Sequence, residues 1–226
     1  MSPIEQIIDE LTDMSKSLMG PILKTKVFAS RIGNQEIADW ADKEATGYRD
    51  QSDCVPGYRA TRPVFKSTYS QATVMKTDVP LPMTIFDDEI GKLLFKPREE
   101  PSVSALELIM DRKSEEGQVR KVFGADFCQM LTSRIINNAS HNITIYALAI
   151  ITDISEIAYV LASIRSKLLD FMLKLEMDLP QLETSAGKAQ PLRREDQERV
   201  TNIFNQTIFV TGDGNTVAIG AGNSIK

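Results

Sequence analysis

The chain has 226 residues, enough for one full-sized hydrophobic core with an appendage or for two small domains. Its composition, 42% hydrophobic and 25% charged, is typical of a globular protein that folds in water. Asp and Glu number 31 against 26 for Lys and Arg, and the basic residues form no cluster. This balance argues against a general nucleic-acid binder, which normally carries a basic surface.

No segment has the pattern of a membrane or secreted protein. The first residues lack a basic stretch followed by an apolar run, so we expect no signal peptide. The longest apolar stretch, Ile143 to Ile151, is about half of the roughly 20 residues that a spanning helix needs. Cys54 and Cys128 are far apart in sequence, which suits a reducing compartment. We therefore predict a cytoplasmic protein that does not enter membranes.

Residues 1–47 predict three short helices with sharp breaks between them. Pro3 to Met19 places its apolar residues on one helical face, and Gly20-Pro21 ends that pattern. The second helix is predicted to end at Gly33, a typical left-handed cap, and Asn34 to cap a third helix, Gln35 to Thr46. These patterns predict a compact helical N-terminal unit.

Strand patterns come next. Tyr58 to Phe65 and Thr68 to Met75 are rich in Tyr, Thr, Val and Phe and predict two strands. Pro63 has no N–H, so the first of them is expected at a sheet edge or at a bulge. Asn142 to Ile151 is apolar in both phases, which favours a central strand buried on both faces; a buried helix segment fits the same periodicity.

Four further helices are predicted. Asp87 to Phe95 is short, Ser102 to Arg112 carries a capping pattern formed by Ser104 and Glu107, and Ala125 to Asn138 has one apolar side. The strongest pattern is Asp153 to Leu179. Its apolar residues recur at alternating steps of three and four: Ile154, Ile157, Leu161, Ile164, Leu168, Phe171 and Leu175. Asp153 is placed to cap this helix, and Pro180 cannot continue it.

The C-terminal residues differ from the rest. Residues 181–199 have no apolar period and predict a linker or a polar helix extension. Beyond them, Asp213-Gly214 is a strong signal for a two-residue hairpin turn. This turn would place Val210 opposite Val217 and Ile208 opposite Ile219, all on one face.

A lone two-stranded hairpin is marginally stable in water, so its apolar face must pack on the body of the protein or on copies of itself. We predict that it drives homo-oligomerisation, with a trimer as the first choice because three hairpins can close an apolar prism without free edges. The residues assigned to this contact are Ile203, Phe204, Ile208, Phe209, Val210, Val217 and Ile219.

Residue types that support catalysis or metal binding are few and scattered. His141 is the sole histidine, the two cysteines lack a C-x-x-C spacing, and the acidic pairs lie in Pro- or Gly-flanked stretches typical of solvated surface. No phosphate-binding glycine motif is present, and Asp213 stands alone in its Gly-rich turn. We therefore assign no catalytic residue and expect no cofactor and no metal.

Five polar residues are candidates for structural interactions inside the fold: Glu44, Tyr58, Arg59, Glu107 and Arg165. Arg165 lies in the apolar face region of the long predicted helix. A buried guanidinium needs a carboxylate partner, and Glu44 or Glu107 is expected to supply it.

Short motifs occur in an order that resembles the AbiTii domain family of bacterial abortive-infection proteins, over roughly residues 1–179. The motifs are Ile7-Ile8-Asp9-Glu10-Leu11, Ile37-Ala38-Asp39-Trp40 with Glu44 and Gly47-Tyr48, Val55-Pro56-Gly57-Tyr58-Arg59, Pro80-Leu81-Pro82, Ser102-Val103-Ser104-Ala105-Leu106-Glu107, and Ile164-Arg165-Ser166-Lys167-Leu168-Leu169-Asp170-Phe171 with Leu175-Glu176. The resemblance implies a role in phage defence, and it supplies no catalytic residues.

The sequence thus predicts an α+β protein: a helical N-terminal unit, a small β-sheet and a long helix in residues 1–180, a linker at 181–199, and a β-hairpin tail at 200–226. The expected function is a non-enzymatic phage-defence module that assembles with itself and engages a phage or host protein. Two alternatives stay open at this point. One is a metal-dependent nuclease using the scattered acids, and the other is a toxin that acts on membranes through the apolar helices.

Overall fold

The structure is a computed structural model that describes residues 1–48, 55–81, 86, 90, 100–112, 117–138, 142–180, 182 and 192–210. The described residues form an α+β fold with seven α-helices and one antiparallel sheet of four strands. The helices are α1 Pro3–Thr12, α2 Met19–Ile32, α3 Gln35–Thr46, α4 Val103–Asp111, α5 Ala125–Asn138, α6 Ile154–Asp178 and α7 Arg194–Phe204. The strands are β1 Val64–Gln71, β2 Val74–Pro80, β3 Gln118–Val122 and β4 Ile143–Asp153. A 3₁₀ turn, Gly57–Arg59, precedes β1, and a π-helix, Asn205–Val210, follows α7.

The chain divides into two compact units. The first contains residues 1–58, 101–105 and 161–226, and the second contains residues 59–100 and 106–160. The described part of the first unit is helical, and the second unit contains the sheet and α5.

Local capping signals set the ends of the N-terminal helices. Ser2 and Glu5 form a reciprocal capping box at the start of α1. Gly33 ends α2 in the left-handed conformation at φ 78°, and the Asn34 side chain accepts a hydrogen bond from the N–H of Ile37, as the sequence predicts. The first helix is shorter than predicted because Asp13 accepts hydrogen bonds from both the N–H and the hydroxyl of Ser15, which forms a turn after Thr12.

The sheet has the strand order β2-β1-β4-β3, so β4 lies in its interior. This confirms the strand interpretation of the apolar stretch near 143–151. The predicted strands Tyr58 to Phe65 and Thr68 to Met75 have wrong boundaries, since β1 takes in only the end of the first and the first half of the second, and a turn at Ala72, with φ 53°, leads into β2. No Gly or Asn marks that turn in the sequence, and a bulge in β1 between Thr68 and Tyr69 disturbs the alternation.

The apolar face of the sheet packs against α5 in the second unit. This cluster includes Phe65 and Tyr69 of β1, Leu131 and Ile135 of α5, and Ile145 of β4, all nearly or fully buried. The edge strand β3 was not predicted, because its side chains are mostly exposed and give no alternation between apolar and polar residues.

The predicted caps of two later helices have different outcomes. Asp153 caps α6 by accepting hydrogen bonds from the N–H and the hydroxyl of Ser155. At α4 the cap is Ser102 rather than Ser104, since the Ser102 hydroxyl accepts from the N–H of Ala105 at 3.3 Å. The helix therefore begins at Val103, close to the predicted start.

The C-terminal residues that the structure describes are helical. Helix α7 begins within the predicted linker and continues without a break into the π-helix. The predicted first strand of the hairpin, Ile208–Val210, is therefore wrong in its conformation. The rest of the predicted hairpin, residues 211–226, lies outside the described residues.

Cys54, His141 and, apart from Ile90, the predicted helix from Asp87 to Phe95 also lie outside the described residues.

Candidate functional site

Two of the polar residues that the sequence indicates, Glu44 and Tyr58, meet in a hydrogen-bonded group of the first unit. The hydroxyls of Tyr48 and Tyr58 both donate to Oε1 of Glu44, at 2.7 Å and 2.6 Å. The indole N–H of Trp40 donates to the Tyr58 hydroxyl at 2.8 Å. We call these four residues the Glu44 cluster.

Helix α3 positions the cluster through its periodicity. Trp40 and Glu44 are four residues apart on one face of α3, and Tyr48 follows at the same spacing just after the helix ends at Gly47. Tyr58 comes from the 3₁₀ turn. The cluster therefore joins that turn to one face of α3.

Burial governs the electrostatics of the cluster. The Glu44 side chain is fully buried. Tyr58 is partly exposed by surface area, but its hydroxyl lies between Trp40 and Glu44. Burial, followed by the negative charge of Glu44, raises the pKa of the Tyr58 phenol well above its ordinary value. The phenol consequently stays neutral and serves Glu44 as a hydrogen-bond donor.

Lys167 of α6 contacts the cluster from another side. Its ammonium lies over the Tyr58 ring, 5.7 Å from the ring centre, within the range of a cation–π interaction. It also donates to the backbone carbonyl of Thr207 in the π-helix at 3.3 Å. Partial burial lowers the pKa of Lys167, and the charge of Asp170 opposes that effect.

A second lysine of α6 reaches the same residue of the π-helix. Lys174 donates to the Thr207 hydroxyl at 3.4 Å, and that hydroxyl donates to the carbonyl of Ile203 at 2.7 Å. Sequence reasoning missed both lysines. Their spacing of seven residues, which places them on one face of α6, is the signal that could have indicated a common partner.

Arg165 does not have the predicted carboxylate partner. Its guanidinium donates to the backbone carbonyls of Leu11, Asp13 and Lys16 at 3.0, 3.2 and 2.6 Å, and to that of Glu10 at 3.4 Å. These carbonyls belong to the last turn of α1 and the loop after it, where intrahelical donors are lacking. Arg165 is therefore a cap that fixes the end of α1 on α6.

The remaining two polar candidates belong to the second unit. Arg59 ends the 3₁₀ turn and its side chain is fully buried. Glu107 lies on α4 and is partly buried. Cys128 of α5 is 2% exposed, and burial raises the pKa of its thiol.

The residues assigned to assembly separate into two groups. Phe204 and Ile208 are fully buried in their own chain. The Phe204 ring meets Trp40, Phe171 and Phe209 edge-on at centroid distances of 5.5, 5.3 and 5.7 Å. Ile203 is partly buried and Phe209 is 48% exposed. The side chains of Val210, Val217 and Ile219 lie outside the described part of the chain.

A polar cleft of about 600 Å³ separates the start of α3 from α7. Asn34 spans it by donating from its amide nitrogen to the Thr201 hydroxyl at 2.8 Å, while its amide oxygen caps α3. The polar groups of Asn34 are thus used to hold α7 beside α3.

The described ranges contain no group of three or more His, Cys, Asp and Glu side chains placed to hold a metal ion. Among the helices in those ranges, none combines the length and the apolar character needed to cross a membrane.

Comparison with known proteins gives one match. The family model named AbiTii matches residues 2–201. No curated protein matches the chain, and no solved structure matches it.

Proposed function

Because the chain belongs to the AbiTii family, whose members are associated with phage defence by abortive infection, we propose that it is a non-enzymatic defence module that assembles with copies of itself. The proposed assembly segment is residues 209–226. It is shorter than the tail expected from sequence, since Phe204 and Ile208 already belong to the core of their own chain.

The observation that carries this proposal is the position of Phe209. Its ring rests edge-on against the buried Phe204, yet 48% of its surface is exposed at the point where the chain leaves the π-helix. The next residues have the turn chemistry and the apolar register of a hairpin by sequence. An exposed aromatic ring joined to an apolar hairpin face supports association between chains.

The polar residues of the body support a structural rather than a chemical role. Each hydroxyl of the Glu44 cluster donates to Glu44, and the guanidinium of Arg165 donates to the end of α1. These groups hold elements of the fold together. Assembly through the C-terminal segment is then the activity of the module, and a phage or host protein engages the assembled particle in the cytoplasm.

A trimer is the proposed state, because three hairpins can enclose their apolar faces without leaving strand edges free. We expect the full chain to have three times its monomer mass by light scattering. A chain truncated after Val210, and the full chain with Val217→Asp, should both be monomers. The truncation must not reach further back, since Val200, Phe204 and Ile208 are fully buried and each stabilises the fold by about 2 kcal/mol.

Val122→Asp is the matched control for that experiment. Val122 is 64% exposed on β3, so the same change there adds a charge without touching the proposed segment. Its mass should equal that of the unaltered chain. The same number of chains per particle in all four proteins, whether one or several, would overturn assembly through residues 209–226.

Phage challenge of cells that produce the chain connects assembly with defence. We expect the unaltered chain and Val122→Asp to reduce phage yield and Val217→Asp to lose that effect at equal protein level. Full protection by a Val217→Asp chain that is monomeric would show that defence does not require assembly.

A further inference from the structure

The π-helix Asn205–Val210 is an unusual end for the described chain. Hydrogen bonds in a π-helix run from residue i to i+5, and such segments are rare and frequently lie at functional sites. Here the π-helix continues α7 directly, with Asn205 at φ −61° and ψ −43°, so no turn or glycine separates the two. Its conformation therefore needs another explanation.

The local sequence favours a different structure. Thr207, Ile208, Phe209 and Val210 are all β-branched or aromatic, types that are enriched in strands and are weak helix formers. The sequence alone predicts a strand here because the Asp213-Gly214 turn signal and the apolar register place Ile208 and Val210 in a hairpin. Conflict between local preference and observed conformation is uncommon in natural proteins and concentrates at functional sites.

Contacts with the rest of the first unit hold the π-helix in place. Ile208 is fully buried, and Thr207 receives hydrogen bonds from Lys167 and Lys174 of α6. Both lysine contacts, at 3.3 and 3.4 Å, are longer than the usual 2.7–3.2 Å of an N–H···O hydrogen bond. The exposed ring of Phe209 adds an edge contact with Phe204. The buried Ile208 and the two long hydrogen bonds to Thr207 are thus among the contacts that hold the segment.

We propose that Asn205–Val210 is a two-state segment that is π-helical against its own body in the single chain and is released to pair as a strand with the same segment of a second copy on assembly. This inference rests on the proposed self-assembly and names the segment that must change for it. Release places Ile208 and Val210 on one face of a strand, which is the face that the sequence assigns to the hairpin contact, and Phe209 on the other face. The docked state keeps the monomer from associating early.

Hydrogen exchange of the full chain, followed by mass spectrometry, tests the release. We expect amides of 205–210 to exchange faster than those of α7 in the monomer and to become protected in the oligomer. Thr207→Val keeps the shape and the low helix propensity but removes the hydroxyl contacted by Lys174. It should speed exchange at 205–210 by roughly five-fold and lower the protein concentration at which oligomers form.

Two controls separate release from general destabilisation. Thr46→Val removes the same type of hydroxyl-to-carbonyl bond from an exposed site on α3 and should leave exchange at 205–210 unchanged. Gln206 is exposed, so Gln206→Val and Gln206→Ala change only the local preference. Amides of 205–210 should exchange roughly three-fold faster in the Gln206→Val variant than in the Gln206→Ala variant.

The outcomes distinguish this inference from the proposed function. Oligomers in which 205–210 remain helical and exchange like the monomer would overturn release while leaving assembly intact. Exchange at 205–210 as slow as in α7, unaffected by Thr207→Val, would also overturn it. A chain that opens as expected but stays monomeric at every concentration would support release and overturn both strand pairing and self-assembly.

Discussion

A buried carboxylate such as Glu44 is stable in a protein only when hydrogen-bond donors replace the water that it has lost. Tyr48 and Tyr58 supply two such donors, and Trp40 donates in turn to Tyr58. The two tyrosines therefore differ in one respect. The Tyr58 hydroxyl both donates and accepts within the cluster, whereas the Tyr48 hydroxyl donates to Glu44.

Removing the two hydroxyls separately should show that difference. We expect Tyr48→Phe to lower the free energy of unfolding by about 2 kcal/mol, the cost of one hydrogen bond to a charged group. Tyr58→Phe should cost about 3 kcal/mol, because it also leaves the buried indole N–H of Trp40 without its acceptor. Urea unfolding followed by the fluorescence of Trp40, the only tryptophan, measures both values. Equal costs would contradict the role assigned to Tyr58.

Arg165 illustrates a second way to satisfy a polar group at the residue scale. A guanidinium carries five N–H donors in a fixed plane, so it can bind several carbonyl oxygens that converge at a helix end. The last turn of α1 and the loop after it bring four such oxygens together. The sequence indicates that Arg165 needs hydrogen-bond partners. Only the path of the chain at the end of α1 shows that those partners are backbone carbonyls.

At the scale of elements, an ion pair connects the two edges of the sheet. Asp78 lies on edge strand β2 and Arg120 on edge strand β3, and their side chains meet at 3.0 Å, with Lys66 of β1 at 3.4 Å from the same carboxylate. The hydrogen bond from Arg120 is the main cause that lowers the pKa of Asp78, and Lys66 adds to it. The charge of Asp78 therefore favours the folded sheet.

The effect of Asp78 should depend on pH. Its folded pKa lies below the unfolded value, so its contribution is present above the unfolded pKa, near 4, and disappears as pH falls through the folded pKa. Asp78→Asn keeps a residue that tolerates the positive φ of 52°. We expect this variant to be less stable than the unaltered chain from pH 5 to 7, and the difference in the free energy of unfolding to shrink as pH falls below about 4, by urea unfolding at each pH.

An exposed carboxylate provides the control for that experiment. Asp111 ends α4 with an exposed side chain, and Asp111→Asn should give a stability difference near zero at every pH. A difference for Asp78→Asn that persists unchanged at pH 2 would mean that shape, not charge, accounts for it.

At the scale of the whole molecule, Phe204 joins segments that are distant in sequence. Its ring contacts Trp40 of α3 and Phe171 of α6, so one side chain of α7 links three helices of the first unit. The family match ends at residue 201, close to this point. The end of α7 is thus part of the folded body rather than a separate tail.

Two phenylalanines five residues apart test this division. Phe204→Ala should lower the free energy of unfolding by about 4 kcal/mol, because it leaves a cavity among buried rings. Phe209→Ala should cost less than about 1 kcal/mol, since its ring is 48% exposed. Thermal unfolding of both variants in a chain truncated after Val210 compares their effects on stability in the absence of most of the proposed assembly segment. A larger effect at Phe209 would place the boundary of the body further along the chain.

Features that depend on residues close in sequence were predictable from the amino-acid sequence alone. The periodicity of 153–179 predicts α6, Gly33 and Asn34 mark the junction of α2 and α3, and the apolar stretch near 143–151 predicts β4. Each signal acts within a few residues through helix geometry, capping or burial. The α+β class and the resemblance to AbiTii follow from the order of these local signals, and both are confirmed.

Only the tertiary structure decided the features that depend on distant partners. The strand β3 has no internal pattern and exists because β4 pairs with it. Arg165 meets carbonyls about 150 residues away in sequence. Residues 207–210 favour a strand by their side chains, yet they are helical because Ile208 is buried and Thr207 meets two lysines of α6. Local preference amounts to less than about 1 kcal/mol per residue, and tertiary packing exceeds it wherever a large apolar side chain is buried.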